Sequence, residues 1–129
     1  MKHYLRLFFI LVATIAVGRV AWAHHSFVST YDPDKTVQIE GQVAQFLFRN
    51  PHSSLHVIAK DENGEEHRWT IEWSTVSQLG AKGITRDTLR IGDHVIVTGN
   101  PGRRAEDYRL RIQSIKRPID GWSWEGNFK

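Results

Sequence analysis

Apolar and polar residues alternate along several short segments of this chain, as they do in β-strands that bury one face. The longest of these segments begins after a turn-rich stretch, Tyr31-Asp32-Pro33-Asp34-Lys35, and ends at Asn50-Pro51, where proline interrupts strand pairing. A second turn, Asn63-Gly64, favours a hairpin. The alternation predicts five strands, at residues 36–48, 54–60, 66–73, 94–99 and 108–117.

The first predicted strand contains an irregularity. Val37, Ile39 and Val43 share one face, and Gly41 lies on that same face without a side chain. Phe46 and Phe48 then lie on the opposite face. A glycine followed by a change of face indicates a bend or a bulge in a long, coiled strand.

One short helix interrupts the strands. Ser74 is a suitable N-cap for a helix that continues through Leu79 and ends at Gly80. Residues 85–89 can form a further helical turn. The order β-β-β-α-β-β is that of an OB-type barrel, whereas a two-sheet sandwich needs about seven strands. The sequence therefore predicts an all-β fold with one short helix, a five-stranded OB-like barrel.

The N-terminal 23 residues have the pattern of a secretory signal peptide. Lys2 and Arg6 precede an apolar run of 11 residues, 7–17, and Ala21-Trp22-Ala23 matches the A-x-A cleavage pattern. A membrane-spanning helix needs about 20 apolar residues, so the alternative of an uncleaved anchor is disfavoured. We expect cleavage after Ala23 and a periplasmic or secreted protein with no membrane anchor.

Removal of this segment changes the charge of the protein. The full chain has 17 basic and 14 acidic residues, a net charge of +3 and a pI of about 9.4. Lys2, Arg6 and Arg19 lie in the predicted signal peptide, and every acidic residue follows it. The remaining chain is neutral apart from its histidines. A neutral chain disfavours nucleic acid as a partner.

Histidines provide the candidate chemistry. Cleavage after Ala23 would place His24 at the new N-terminus, where its α-amino nitrogen and ring Nδ1 can chelate one metal ion together. His25 would supply a second imidazole, and His52, in Asn50-Pro51-His52, is a candidate third. Glu72 is a candidate oxygen ligand or a carboxylate partner of a ligand. A nitrogen-rich set of this kind suits Cu(II), so copper is the expected cofactor.

The alternatives to a metal site remain open. The two N-terminal histidines can be a polar tail without a ligand, and cleavage one residue earlier would give Ala23-His24-His25, which also chelates Cu(II) or Ni(II). The chain has no cysteine and no G-x-S-x-G, H-E-x-x-H or P-loop motif, so we expect a binding protein and no enzyme. A copper-dependent oxidative activity is the third alternative.

Aromatic residues near the C-terminus suggest a different function. The predicted organisation is a lead-in at residues 24–35, the barrel at 36–118 and an aromatic tail at 119–129. The tail either packs over one end of the barrel or presents its rings to a partner. In the second case the protein binds a small molecule, a glycan or a periplasmic protein through four tryptophans, Trp69, Trp73, Trp122 and Trp124.

Short motifs between residues 23 and 99 resemble a family of small exported bacterial proteins of unknown function. The resemblance implies a compact periplasmic β-barrel and supplies no reaction. The sequence differs from the family at Ser53-Ser54-Leu55, where an aromatic residue is common. The motifs are Ala23-His24-His25-Ser26-Phe27, Tyr31-Asp32-Pro33-Asp34-Lys35, Gly41-Gln42-Val43, Asn50-Pro51-His52, Trp69 with Glu72, Thr85-Arg86-Asp87-Thr88-Leu89 and Gly92-Asp93-His94-Val95.

Overall fold

The computed structural model describes residues 27–126 of the 129-residue chain. The predicted signal peptide, its cleavage site, His24 and His25 lie outside the described residues. The chain divides into two units, Met1–Thr30 and Tyr31–Lys129. In the first unit, residues 27–30 are helical. No helix within residues 27–126 combines the length and the apolar character that a membrane span requires.

The second unit contains all the strands of the described chain. A single turn of 3₁₀ helix, Ala105–Asp107, precedes the fifth strand. One short α-helix, α1, spans Val76–Gly80. Thr75, and not Ser74 as predicted, caps it by accepting a hydrogen bond from the backbone of Gln78. The strands are β1 (Val37–Leu47), β2 (Ser54–Lys60), β3 (Glu66–Glu72), β4 (His94–Pro101), β5 (Arg109–Arg117) and β6 (Trp122–Glu125).

The sheet closes into a barrel. Its strand order is β3-β2-β1-β4-β5-β6, with antiparallel pairing between neighbours, and a parallel pairing of β3 with β5 joins the two ends. Five strands therefore form the barrel, and β6 lies outside it on the edge of β5. The predicted all-β fold with an OB-like barrel and one short helix is confirmed.

Gly41 is needed because β1 and β2 approach each other closely. A Cβ atom at this position would collide with the backbone carbonyl of Ile58 on β2. The register shift lies slightly later, between Val43 and Gln45. The predicted irregularity is thus present, but the glycine provides the close approach and the bulge falls at Ala44.

Alternation along the strands builds the core. Leu55, Val57 and Ala59 of β2 point inward, and the residues between them face outward. Trp73, directly after β3, is completely buried and is among the largest core side chains. Burying a side chain of this kind contributes roughly 1.5–3 kcal/mol or more to folding, so the aromatic residue at the end of β3 is structural.

Two predicted elements differ in detail from the structure. Residues 85–89 form a hydrogen-bonded turn, in which the backbone N–H of Thr88 donates to the carbonyl of Thr85, and no helix. The predicted tail, 119–129, contains β6, which pairs with the last four residues of β5. A sequence such as Trp-Ser-Trp-Glu does alternate, but four residues are too few to separate a strand from a tail.

Candidate functional site

Glu72 is the centre of a polar cluster on the outer side of the barrel. The hydroxyl of Tyr31 donates a hydrogen bond to Glu72 Oε2 at 2.7 Å. Arg111 Nη1 donates to Glu72 Oε1 at 2.9 Å and, more weakly, to the carbonyl of Trp73 at 3.4 Å. Both carboxylate oxygens therefore have a strong partner. This arrangement holds the carboxylate in one orientation.

The barrel closure brings these groups together. The parallel pairing of β3 with β5 places Glu72 beside Arg111, and both face outward because Ile71 and Leu110 point into the core. Tyr31 is brought to the same place by an isolated bridge to Gly102, after β4. The cluster thus depends on two contacts that are far apart in sequence.

His52 reaches the cluster from the loop between β1 and β2. The loop contains a cis peptide bond between Asn50 and Pro51. Its backbone is fixed at Ser53, whose N–H donates to the carbonyl of Ser74 and whose carbonyl accepts from the N–H of Trp73. His52 Nδ1 lies 3.5 Å from Glu72 Oε1, and the imidazole is 52% exposed. One ring nitrogen of His52 consequently faces Glu72.

The tyrosine in this cluster is held in its neutral form. Burial raises the pKa of Tyr31 far above its usual value of 10.0, and the hydrogen bond to Glu72 raises it further. The guanidinium of Arg109, 5.8 Å from the centre of the Tyr31 ring, opposes this rise. Tyr31 is therefore a hydrogen-bond donor to Glu72 and would be a poor anionic ligand.

The sequence predicted two of these residues and missed two others. His52 and Glu72, both proposed as members of one site, lie next to each other in the structure. Tyr31 and Arg111 were not proposed, although they fix the carboxylate. The outward alternation of Arg111 on β5 is visible in the sequence, but its pairing with Glu72 depends on barrel closure.

The four tryptophans of the alternative site do not form one exposed surface. Trp73 is completely buried, which contradicts its expected role in lining a binding surface. Trp124 packs edge-on against Trp73 with ring centres 5.0 Å apart. Trp122 lies beneath the guanidinium of Arg117 at 5.4 Å, and Trp69 packs edge-on against Tyr108.

A second group of possible metal ligands occurs in the hairpin between β2 and β3. Within residues 27–126, one group of three such side chains lies close enough together to hold an ion, namely Asp61, Glu65 and His67. Asp61 Oδ1 accepts hydrogen bonds from the backbone of Asn63 and Glu65, and Asp61 Oδ2 lies 2.9 Å from His67 Nε2. These contacts close the turn and account for the carboxylate without an ion.

The barrel and its cluster define the class of protein. The described chain is a small OB-type barrel with a carboxylate, a tyrosine, an arginine and a histidine grouped on its outer side. A family model described as "Family of unknown function (DUF6152)" matches residues 12–111, and the chain belongs to this family. The expected membership in a family of unknown function is confirmed. Among curated proteins, no sequence matches the chain.

Proposed function

We propose that this protein is an exported metal-binding protein that binds Cu(II), with His24, His25 and His52 as ligands and Glu72 as the partner of His52. The observation that carries the proposal is the position of His52 Nδ1, 3.5 Å from a carboxylate that Tyr31 and Arg111 hold in place. Histidines that ligate metals commonly direct their second ring nitrogen at a carboxylate, which sets the tautomer and the ring orientation.

Glu72 is better suited to orienting a ligand than to binding metal. Its two oxygens already accept hydrogen bonds from Tyr31 and Arg111. The arginine also brings a positive charge next to the carboxylate, which opposes the approach of a cation. Glu72 can nevertheless accept a hydrogen bond from His52 Nδ1–H, which leaves Nε2 as the metal-binding nitrogen.

The other proposed ligands come from the sequence. His24 and His25 precede Tyr31 by seven and six positions. Six residues span at most about 20 Å when fully extended, so the tether between His25 and Tyr31 is short. A short tether gives two groups of one chain a high effective concentration for the same ion. An amine and three imidazoles form the nitrogen-rich set that favours Cu(II) among divalent metals.

The test is a calorimetric titration with Cu(II) of the exported protein, after mass spectrometry has identified its N-terminus and any retained metal. We expect binding tighter than micromolar, a loss of binding in His24→Ala and at least a tenfold weakening in His52→Ala. His94→Ala is the matched control, because His94 is 50% exposed and also faces a carboxylate, Glu40. It should bind like the unmodified protein.

Two results would contradict the proposal. The first is the absence of binding tighter than micromolar, and the second is unchanged affinity when His24 is replaced. The competing function, binding of a small molecule, glycan or protein, predicts a ligand-dependent change in tryptophan fluorescence that survives replacement of His24 and His25. The proposed protein binds copper without catalysing a reaction, so oxidation of ascorbate by the copper-loaded form would favour an enzyme instead.

A further inference from the structure

A second polar surface lies on the outer face of β1, β2 and β3, and neither the predicted site nor the proposed function uses it. Three residues on adjacent strands form one row across this face. Gln45 of β1 is the register partner of His56 of β2, and His56 is the register partner of Thr70 of β3. Thr70 Oγ1 lies 3.4 Å from His56 Nδ1. The row therefore offers an amide, an imidazole and a hydroxyl side by side.

The side chain of Arg68 extends from β3 across β2 to β1. Arg68 precedes Thr70 by two positions on β3 and so shares its outward face. Its Nη2 atom donates a hydrogen bond to Gln45 Oε1 on β1 at 3.0 Å. Because β2 lies between the two strands, the guanidinium must cross the strand that carries His56. The contact with Gln45 holds this exposed cation over the face.

Arg49 supplies a second cation from the loop after β1. Its backbone is tied to the loop by Ser53, whose hydroxyl accepts a hydrogen bond from Arg49 N and donates one to Arg49 O. The side chain is exposed. Burial lowers the pKa of His56, and the nearby guanidinium groups of Arg68 and Arg49 lower it further. Leu47 pairs with Ser54, two positions before His56 on β2, and Arg49 follows Leu47 by two residues, so the chain places Arg49 at the end of the face that carries His56.

Acidic residues also lie on this face, but Glu66, two positions before Arg68, is the register partner of Lys60 on β2. Within residues 27–126, no carboxylate forms an ion pair with Arg49 or Arg68, whereas Arg111 and Arg117 are each paired. Glu72 follows Thr70 on the same face, but Arg111 and Tyr31 already engage both of its oxygens. Two cations without an ion-pair partner in the described chain, one of them held over polar side chains by Gln45, give this face a local positive charge that suits an anionic ligand.

We infer that Arg49 and Arg68, together with Gln45, His56 and Thr70, form a binding site for a phosphate-type oxyanion group carried by a small molecule. Guanidinium groups present several N–H donors in a plane, which matches the oxygens of phosphate or sulfate. The Gln45 amide and the Thr70 hydroxyl add donors of the kind that orient such a group. The hydrogen bond to Gln45 fixes the position of the Arg68 guanidinium, and an arginine that is only solvated would not require such a contact.

The site can be tested with inorganic phosphate on the full exported chain. The ring proton signals of His56 are followed by nuclear magnetic resonance while phosphate replaces chloride at constant ionic strength. We expect a saturable shift of these signals and a higher His56 pKa in the complex, because the bound anion stabilises the imidazolium. Arg49→Gln and Arg68→Gln should each weaken binding about tenfold.

The controls separate this site from general charge effects and from the proposed metal site. Arg86→Gln removes an exposed arginine outside the face and should leave phosphate binding unchanged. Arg49→Gln alters only an exposed side chain and is not expected to disturb folding, which circular dichroism verifies. The His52→Ala variant should bind phosphate normally. A response that does not saturate, that acetate reproduces equally, or that persists unchanged in both arginine variants would overturn the inference.

Discussion

Two histidine–glutamate pairs on this barrel have similarly exposed imidazoles but differ in the surroundings of the carboxylate. The imidazoles of His52 and His94 are about equally exposed, at 52% and 50%. His94 Nε2 lies 2.7 Å from Glu40 Oε1, which is the shorter contact, but Glu40 is itself 61% exposed. Glu72, the partner of His52, is 25% exposed and accepts hydrogen bonds from Tyr31 and Arg111.

The difference shows that the distance between histidine and carboxylate does not identify a site. An exposed pair such as His94 with Glu40 contributes about 0–1 kcal/mol, because water and salt screen it and both side chains lose freedom. Glu72 belongs to a partly buried network in which Tyr31 and Arg111 fix the carboxylate independently of His52. A fixed carboxylate can orient an imidazole, whereas an exposed carboxylate without other partners cannot hold the ring in one orientation.

Replacing each of the two carboxylates should give the largest difference in stability between the two pairs. Glu72→Ala leaves the Tyr31 hydroxyl without its acceptor and removes the carboxylate that neutralises Arg111, which is 16% exposed. We expect the free energy of unfolding to fall by about 2–3 kcal/mol, the usual cost of losing hydrogen bonds to a charged group. Glu40→Ala should change it by less than about 0.5 kcal/mol.

Urea denaturation followed by tryptophan fluorescence measures both changes. The two variants remove the same atoms, so helix or strand propensity and side-chain size are matched. Equal losses of stability in the two variants would show that the Tyr31–Glu72–Arg111 network does not hold the carboxylate more firmly than solvent does, and the distinction between the pairs would disappear.

The hydroxyl of Tyr31 should have a smaller effect that depends on pH. Tyr31→Phe removes one hydrogen bond to Glu72 and should lower the free energy of unfolding by about 1–2 kcal/mol at neutral pH. Because the pKa of Tyr31 is raised in the folded protein, the unfolded chain loses this proton first. Stability from this group is fully present below about pH 10 and declines as the pH rises further.

Denaturation between pH 8 and pH 11 tests this expectation. The unmodified protein should lose stability above about pH 10, and part of that loss should be absent in Tyr31→Phe. Tyr108, which precedes β5 and stacks on His67, also has a raised pKa, so Tyr108→Phe should likewise remove part of the alkaline loss. It is the control for the loss at neutral pH, because the hydrogen bond to Glu72 comes from Tyr31. An identical alkaline profile in the unmodified protein and in Tyr31→Phe would contradict the assignment.

Local patterns predicted the strands well. The alternation in residues 54–60 marks β2 at its observed bounds, Ser54–Lys60, because every second residue there is buried. The end of the chain was harder to assign, since β6 has four residues and its pairing with β5 depends on tertiary structure. Periodicity identifies a strand only where it is long enough to repeat.

The candidate site was predictable only in part. His52 stands out by residue type and by its place in a loop that contains a proline, and Glu72 by its position at the end of β3, so a sequence can nominate both. Tyr31 and Arg111 join them through a bridge to Gly102 and through the parallel pairing of β3 with β5. Neither contact leaves a local trace in the sequence, because residues 41 and 39 positions apart form the hydrogen bonds to Glu72.

The smallest effects on stability should come from the histidines themselves. His52→Ala and His94→Ala each remove a half-exposed side chain, and each should change the free energy of unfolding by less than about 0.5 kcal/mol. Urea denaturation in the absence of metal measures both. The two histidine variants should therefore be alike in stability and differ in Cu(II) affinity alone, because the orientation of His52 matters only when a ligand is present. A clearly larger loss of stability in His52→Ala would instead make His52 a structural member of the Glu72 network and would remove the main support for a metal site.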